Sequence, residues 1–341
     1  EAVSEAMQKD PKTLFYALGA DDPKRLFGSS VGLVEKFGTD RVFDMPTAEN
    51  GMTGISVGLA LQGYRSIMTH QRLDFFLLAM DQVVNSAAKW HYMFGGQDSV
   101  PITIRLILGR GWGQGPTHCQ NLQSWFAHVP GLKVVMPATA YDAKGLLLSS
   151  IFDDNPVIFL EHRWLHNQKG DVPEGEYYEP LGKAKVLREG TDITLVSYSY
   201  MTVEALHAAN ELEKQGISCE VVDLRTVAPI DWALINSSVK KTGRVLAMDT
   251  SAYSLSIGSE IISEISINSF EYLKSSPQKL ASPDCPVPTS YGLSKDFYPR
   301  ASDIMEKVAF MLKKEIKLDD IMAKQNLVNH DVPGDWFTGP F

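Results

Sequence analysis

The spacing of apolar positions alternates along this chain between the two-residue period of strands and the 3.6-residue period of helices. Arg41 to Met45 reads as a short strand that Pro46 closes. A helix then opens near Asn50 and carries Ile55, Val57, Leu59 and Leu61. Gly51, Gly54 and Gly58 fall at helical spacing along it. Glycine weakens a helix, so three of them call for a packing reason, such as the close approach of another helix. Glu49 then stands where a strand ends and a helix begins, the place where open α/β sheets keep their ligands. A carboxylate there also suits a helix N-terminus, so on this stretch alone both readings stand.

Upstream, Val3 to Lys9 predicts a helix, Thr13 to Ala17 a strand and Leu33 to Phe37 a second helix. Downstream, Tyr64 to Thr69 reads as a strand. Phe75 to Phe94 predicts one long helix with a stripe through Phe76, Met80, Val83 and Val84. Pro101 to Leu108 is β-rich and Gly109 to His118 is a glycine loop. Lys133 to Met136 and Pro156 to Glu161 are strands on either side of a helix at Tyr141 to Phe152. This alternation predicts a mainly parallel sheet covered on both faces. From His162 to Gly190 the chain turns polar and carries glycine and proline, which predicts a boundary. Ile193 to Ser197, Ser218 to Asp223 and Arg244 to Asp249 then read as strands, with a helix from Thr202 to Lys214 after the first. The expected class is α/β, with two parallel-sheet, three-layer domains at residues 1–165 and 191–317. A linker at 166–190 joins them, and a weakly periodic tail at 318–341 offers Trp336 and Phe337 to another surface.

The length of 341 residues leaves room for both cores, and 44% apolar with 21% charged residues is ordinary for a globular protein. A net charge of −9 with no basic cluster argues against nucleic-acid binding. No apolar run is long enough to span a membrane, and the opening EAVSEAMQKD is unlike a signal peptide. Cys119, Cys219 and Cys285 lie far apart without metal-ligand spacing, which suits a reducing compartment and disfavours a disulfide framework or a zinc site.

Several strings combine into a resemblance. They are FDMPTAENGM at 43–52, AMDQVVNSAAKWHYMFGGQ at 79–97, VPITIR at 100–105 and THCQ at 117–120. HVPGLKVVMPATAYDAKGLL at 128–147, DDNPVIFLEH at 153–162 and EVVDLRTVAPID at 220–231 continue the series. Together they resemble, over roughly residues 1–315, the β subunit of the E1 component of thiamine-diphosphate-dependent 2-oxoacid dehydrogenases. That group includes the pyruvate, branched-chain and acetoin enzymes. The resemblance implies a transketolase-like pyrimidine-binding domain followed by a transketolase C-terminal domain. It implies thiamine diphosphate held between subunits, with the diphosphate and Mg²⁺ on an α subunit that carries a GDG motif. No GDG occurs here; Gly334-Asp335-Trp336 lacks the third glycine. The chain thus reads as half of an active site with no metal ligands of its own. The expected assembly is an α2β2 heterotetramer serving a lipoyl acyltransferase, in the cytoplasm or, in a eukaryote, the mitochondrial matrix.

Residue by residue, Glu49 matches the family's cofactor-activating glutamate. A carboxyl hydrogen-bonded to N1′ of the pyrimidine shares a proton with that nitrogen, which makes the cofactor's 4′-amino group basic enough to take the C2 proton. Phe75 aligns with the aromatic that packs on the pyrimidine, and Gln71 and Leu78 fall at neighbouring pocket positions. His118 matches a histidine on the substrate side, where an imidazole stabilises developing negative charge or donates a proton. Core packing for Phe75 and a backbone-bonded loop for His118 are the blander readings. His91, His128 and His162 read as structural, as do Asp223, Arg225 and Asp231.

The chain departs from the family at His70-Gln71-Arg72-Leu73-Asp74 and at GRGWGQGPTHCQ, which gains Arg110, Trp112 and Gln114. Arg72 and Arg110 are therefore candidates to pair with a substrate carboxylate or phosphate, against solvated or subunit-linking arginines. The functional expectation is decarboxylation of a 2-oxoacid with acyl transfer to a lipoyl carrier. The alternatives are half of a split transketolase and a non-catalytic scaffold subunit.

Overall fold

Strands apolar on both faces need cover on both faces, and the first half of the chain is built that way. The computed structural model describes residues 1–21, 26–109 and 114–333. Its first strands are Thr13–Ala17 (β1), Val42–Asp44 (β2), Arg65–His70 (β3) and Ile102–Leu108 (β4). Lys133–Val135 (β5) and Val157–His162 (β6) complete the set from the first half. β1 and β4 are buried along their whole length. All six run parallel, in the spatial order β5-β6-β4-β3-β1-β2. From β1 the chain steps to β2 on one side and then crosses to β3 on the other. The switch point of the sheet therefore lies between the carboxyl ends of β1 and β3.

The second half adds Lys185–Arg188 (β7), Ile193–Ser197 (β8), Cys219–Asp223 (β9), Thr226–Ala228 (β10), Val245–Ala252 (β11) and Gln278–Ser282 (β12). Five of these make a sheet in the order β12-β11-β8-β9-β7, parallel except for β7. The segment expected as a linker thus ends in an edge strand. β10 instead leaves its own half and pairs antiparallel with β5, extending the first sheet. A period-two pattern three residues long is too short to be read as a strand from sequence.

Polar side chains fasten the two halves. Gln123 Nε2 lies 3.0 Å from the Tyr198 hydroxyl, 2.9 Å from Asp249 Oδ1 and 3.0 Å from Thr250 Oγ1. Arg225 Nη1 donates to Asp142 at 2.9 Å and to Glu179 at 2.6 Å. Asp231 caps the helix Trp232–Thr242 by accepting from the Leu234 N–H. The structural reading of Arg225 and Asp231 fits these contacts.

Two helices differ from expectation. Helix Glu49–Leu61 buries Met52, Thr53, Ser56, Val57 and Ala60, while Ile55 is 54% exposed. Gly54 packs against the Gln82 side chain, but a Cβ on Gly58 would meet nothing within 4 Å. The face Gly51–Ile55–Gly58 therefore has no neighbour within the described chain. The long helix expected over 75–94 is subdivided. It runs as a turn at Leu73–Phe76, a 3₁₀ turn at Leu77–Ala79, a π-helical segment at Gln82–Ala87 and an α-helix at Ala88–Met93. The widened turns shift the buried stripe to Phe76, Ala79, Val83, Ala87 and Ala88. Such π segments frequently lie beside functional sites.

Asp223 ends β9 next to the Arg225 cluster and accepts from the Arg225 N–H at 3.1 Å. Burial, reinforced by the Asp142 charge, holds its carboxyl up at about 7 against the pull of Arg225. The unfolded chain titrates near 4, so between about pH 4 and pH 7 the folded state keeps a proton that the unfolded state releases. This group's contribution therefore declines as pH rises through that window and levels off above it. The urea midpoint of Asp223→Asn should lose less than the parent's between these limits. Parallel pH slopes for the two proteins would refute the assignment.

Candidate active site

The carboxyl edge of the first sheet carries the functional candidates. β2 ends at Asp44, the chain turns through Pro46 and Ala48, and Glu49 becomes the first residue of its helix. One hydrogen bond ties the helix to the sheet and another closes its first turn. Ser56 hydrogen-bonds Tyr16 of β1, and the Thr53 hydroxyl donates to the Glu49 carbonyl at 2.8 Å. Glu49 is only 4% exposed, yet its carboxylate forms no hydrogen bond or ion pair among the described residues. The other buried carboxylates differ. Asp74 accepts from Gln120, Asp142 from Arg225, Glu204 from the Ala301 N–H and Glu211 from Lys214. Glu220 accepts from Ser238, Asp223 from the Arg225 N–H and Asp249 from Gln123. Buried charge without a partner is costly, so Glu49 stands as a carboxylate awaiting a donor.

β3 ends at His70, which is buried, and burial lowers its imidazole to about 4, keeping it neutral. Gln71 follows at the switch point and donates from Nε2 to the Leu18 carbonyl at 3.2 Å, with the residue still exposed. Phe75 is 43% exposed and Leu78 69% exposed, one helical turn apart on the same open face. Phe75 is thus no core residue; the core position is taken by its neighbour Phe76, which is fully buried.

β4 leads into Gly109, whose φ of +78° suits glycine. A Cβ there would lie 2.3 Å from the His162 Nε2. Arg110 and Trp112 lie outside the described residues, as do Trp336 and Phe337. The loop returns at Gln114, and Gly115 is pressed against Thr289 of the second half, 2.2 Å from where its Cβ would be. His118 follows three residues on. Its ring meets Phe75 edge-on, with centroids 5.2 Å apart at 88°, and its Nδ1 lies 3.0 Å from the Thr117 hydroxyl. Two residues separated by the whole of β4 are thereby brought together.

Arg72 is 5% exposed; its Nη2 donates to Gln114 Oε1, and its Nη1 has no partner among the described residues. Burial lowers its pKa, while the nearby Cys119 thiol and Asp74 act in the opposite sense. The sequence reading missed Phe27 and Arg163, which pack beside Arg72. A signal existed for Arg163, because it follows β6 directly, as Arg72 follows β3 after one residue. Among the histidines read as structural, His162 is buried, accepts from the Trp164 N–H and is held down at about 3 by burial. His91 bonds the Asp98 carbonyl at 3.0 Å. Among the described residues, no group of three or more His, Cys, Asp or Glu side chains converges as a metal site.

Comparison with known proteins agrees with this geometry. Residues 1–168 match the transketolase pyrimidine-binding domain, and residues 182–304 match the transketolase C-terminal domain. A solved split-gene transketolase, an inactive β4 tetramer, shares the fold with a TM-score of 0.72 and 24% identity, covering 92% of this chain and 96% of that one. Fold and site together therefore define a protein of the transketolase type. The chain is also 41% identical over 308 residues to the mitochondrial pyruvate dehydrogenase E1 component subunit beta-2 of Oryza sativa subsp. japonica, covering 89% of this chain and 82% of that one. It is 38% identical over 314 residues to the acetoin:2,6-dichlorophenolindophenol oxidoreductase subunit beta of Cupriavidus necator, covering 89% and 93%. The chain belongs to the family of E1 component β subunits of the thiamine-diphosphate-dependent 2-oxoacid dehydrogenases, which act with an α subunit.

Thiamine diphosphate fits what is present. Glu49 is an orphaned buried carboxylate suited to a ring nitrogen, and Phe75 an aromatic left open on the same sheet edge. The two phenylalanines give a stability test. Phe76→Ala should lower stability by about 3–5 kcal/mol, as truncation of a buried aromatic does. Phe75→Ala should stay within about 1 kcal/mol of the parent. Equal losses in urea unfolding would mean that Phe75 is core after all.

Proposed function

We propose that this chain supplies the pyrimidine-binding half of a thiamine-diphosphate site completed by an α subunit, and that the assembly decarboxylates a 2-oxoacid. The carrying observation is Glu49, a buried carboxylate without a partner at a strand-to-helix crossover beside the switch point. When bound, thiamine diphosphate supplies the carbon nucleophile and the electron sink that decarboxylation requires. Glu49 holds a proton at N1′ of the pyrimidine and sets the basicity of the amino group on that ring. Phe75 packs on the pyrimidine and keeps water from it, with Gln71 and Leu78 as the adjoining wall. His118, braced edge-on by Phe75, donates a hydrogen bond or a proton to the substrate oxygen. Arg72 meets an anionic group of the substrate. Arg110 is assigned the same role from sequence.

Mg²⁺ and the diphosphate belong to the α chain in this reading, in an α2β2 assembly that passes its acyl group to a lipoyl acyltransferase. Association is supported by surfaces that this chain leaves uncovered. Tyr92, Met93 and Phe94 are 88%, 56% and 47% exposed at the end of one helix, and the Gly51–Ile55–Gly58 face is open on another. No helix among the described residues is long and apolar enough to cross a membrane. The bacterial cytoplasm or the mitochondrial matrix is the setting this reading assigns.

Glu49→Gln keeps the shape and removes the exchangeable proton. In the complex with the α subunit it should cut decarboxylation by about 10²–10⁴-fold and slow deuterium exchange at the thiazolium C2, while thiamine diphosphate still binds. Exchange and turnover at the parental rate would sink the assignment of Glu49.

A further inference from the structure

The contact between Phe75 and His118 joins two segments that lie far apart in the sequence, and neither side of it lies in the core. Phe75 is 43% exposed, His118 is half-buried, and Pro116 and Thr117 just ahead of it are exposed. An edge-on pair of rings is too weak by itself to hold a loop in place.

Two charged residues of the first segment do more. Arg72 and Asp74, just ahead of Phe75, are both buried. Arg72 Nη2 donates to Gln114 Oε1. Asp74 Oδ1 accepts twice from Gln120, from its backbone N–H at 3.3 Å and from its Nε2 at 2.8 Å. Gln114 lies four residues before His118 and Gln120 two residues after it. The loop is therefore tied down on both sides of the histidine, and both ties run to the three residues that precede Phe75.

The chemistry of the ties is specific. A glutamine amide can both accept and donate. Gln114 turns its oxygen to the cation and Gln120 its N–H groups to the anion, so each tie is charge-assisted and stronger than a bond between neutral groups. The two charges also favour each other: burial lowers the Arg72 pKa, and the Cys119 thiol and then Asp74 oppose that fall. Yet Arg72 and Asp74 make no hydrogen bond to each other. Arg72 Nη1 and Asp74 Oδ2 are buried without a partner among the described residues, while Nη2 and Oδ1 are the atoms engaged by the loop. Side chains arranged for stability alone would close on each other, because a buried donor and a buried acceptor left open are both costly. Here each grips a separate glutamine instead.

We propose that Arg72 and Asp74 are positioning residues: through Gln114 and Gln120 they form a two-point latch that holds the His118 imidazole against the Phe75 ring and so sets where it meets the substrate. That the imidazole meets a substrate rests on the assignment of His118 to the substrate side of the cofactor; the latch itself does not. Arg72 Nη1 takes no part in it.

NMR of the full chain labelled with ¹³C at histidine Cε1 tests the latch without a substrate. The His118 signal, one of eight, is identified by its loss in His118→Gln, and its displacement by the Phe75 ring by its movement in Phe75→Leu. Asp74→Ala should move the signal in the same direction and by most of that amount. Gln120→Ala removes the same tie from the loop side and leaves the charge beside Arg72 in place. It should act alike, and it carries the test should Asp74→Ala fail to fold. Asp74→Asn, which keeps an oxygen for Gln120, should leave the signal near its parental place. In the complex with the α subunit, thiamine diphosphate and Mg²⁺, with pyruvate as the probe, Gln120→Ala should lower kcat about 10–100-fold. Because it acts through the imidazole, adding it to His118→Ala should cost little more. A His118 signal unmoved in both alanine variants, or kcat losses that add in full, would overturn the proposal. A signal that follows the latch in a complex whose turnover is indifferent to His118→Ala would leave the latch standing and overturn the reading of His118.

Discussion

A carboxylate on a buried residue with no partner among the described residues is tolerated only where the rest of the structure compels it, and Glu49 is compelled from several directions. Its helix is clamped to β1 through Ser56 and Tyr16 and against the neighbouring helical segment through Gly54 and Gln82. Its entry is fixed by the end of β2 in the sheet. The order of the strands and the open face of Phe75 make sense as the surroundings of this one fixed group.

The buried charges of the molecule sort by place. Away from the carboxyl edge they are neutralised within the chain, as in Arg105–Glu161 and Arg225–Asp142. At the edge, Glu49 forms no hydrogen bond among the described residues, and Arg72 Nη1 and Asp74 Oδ2 are buried without a partner. A stability-driven sequence would let such charges find each other. Unused donors and acceptors at one sheet edge suit a ligand that offers both.

Most of the first sheet and the crossover at Glu49 were legible because they rest on local signals: β-branched runs, prolines at strand ends and helical spacing. The same local logic misplaced Ile55. It is an apolar residue at helical spacing that stands 54% exposed, and spacing alone does not say which apolar face of a helix is covered. The subdivided helix after Phe75 was hidden because a π-helical turn shifts the buried face by one residue without changing composition. β10 and the row Arg72–Phe27–Arg163 depend on contacts between distant segments, which no window of sequence holds. Glu49, Gln71, Phe75, Leu78 and His118 were proposed from the family resemblance, and Arg72 from the departure from it. The structure adds how Phe75 and His118 touch and how Arg72 is left.

The strand that β10 lends to the first sheet has a consequence for how the protein is made. Until Thr226–Ala228 emerges, the β5 edge of the first sheet has no antiparallel neighbour. At ordinary translation speeds the stretch from Val135 to Thr226 takes on the order of several seconds to synthesise. During that interval the nascent chain offers a bare, apolar strand edge, the surface most prone to pair with the wrong molecule. The two halves are therefore bound into one folding unit, and a ribosome that stalls between them releases a product with an adhesive side.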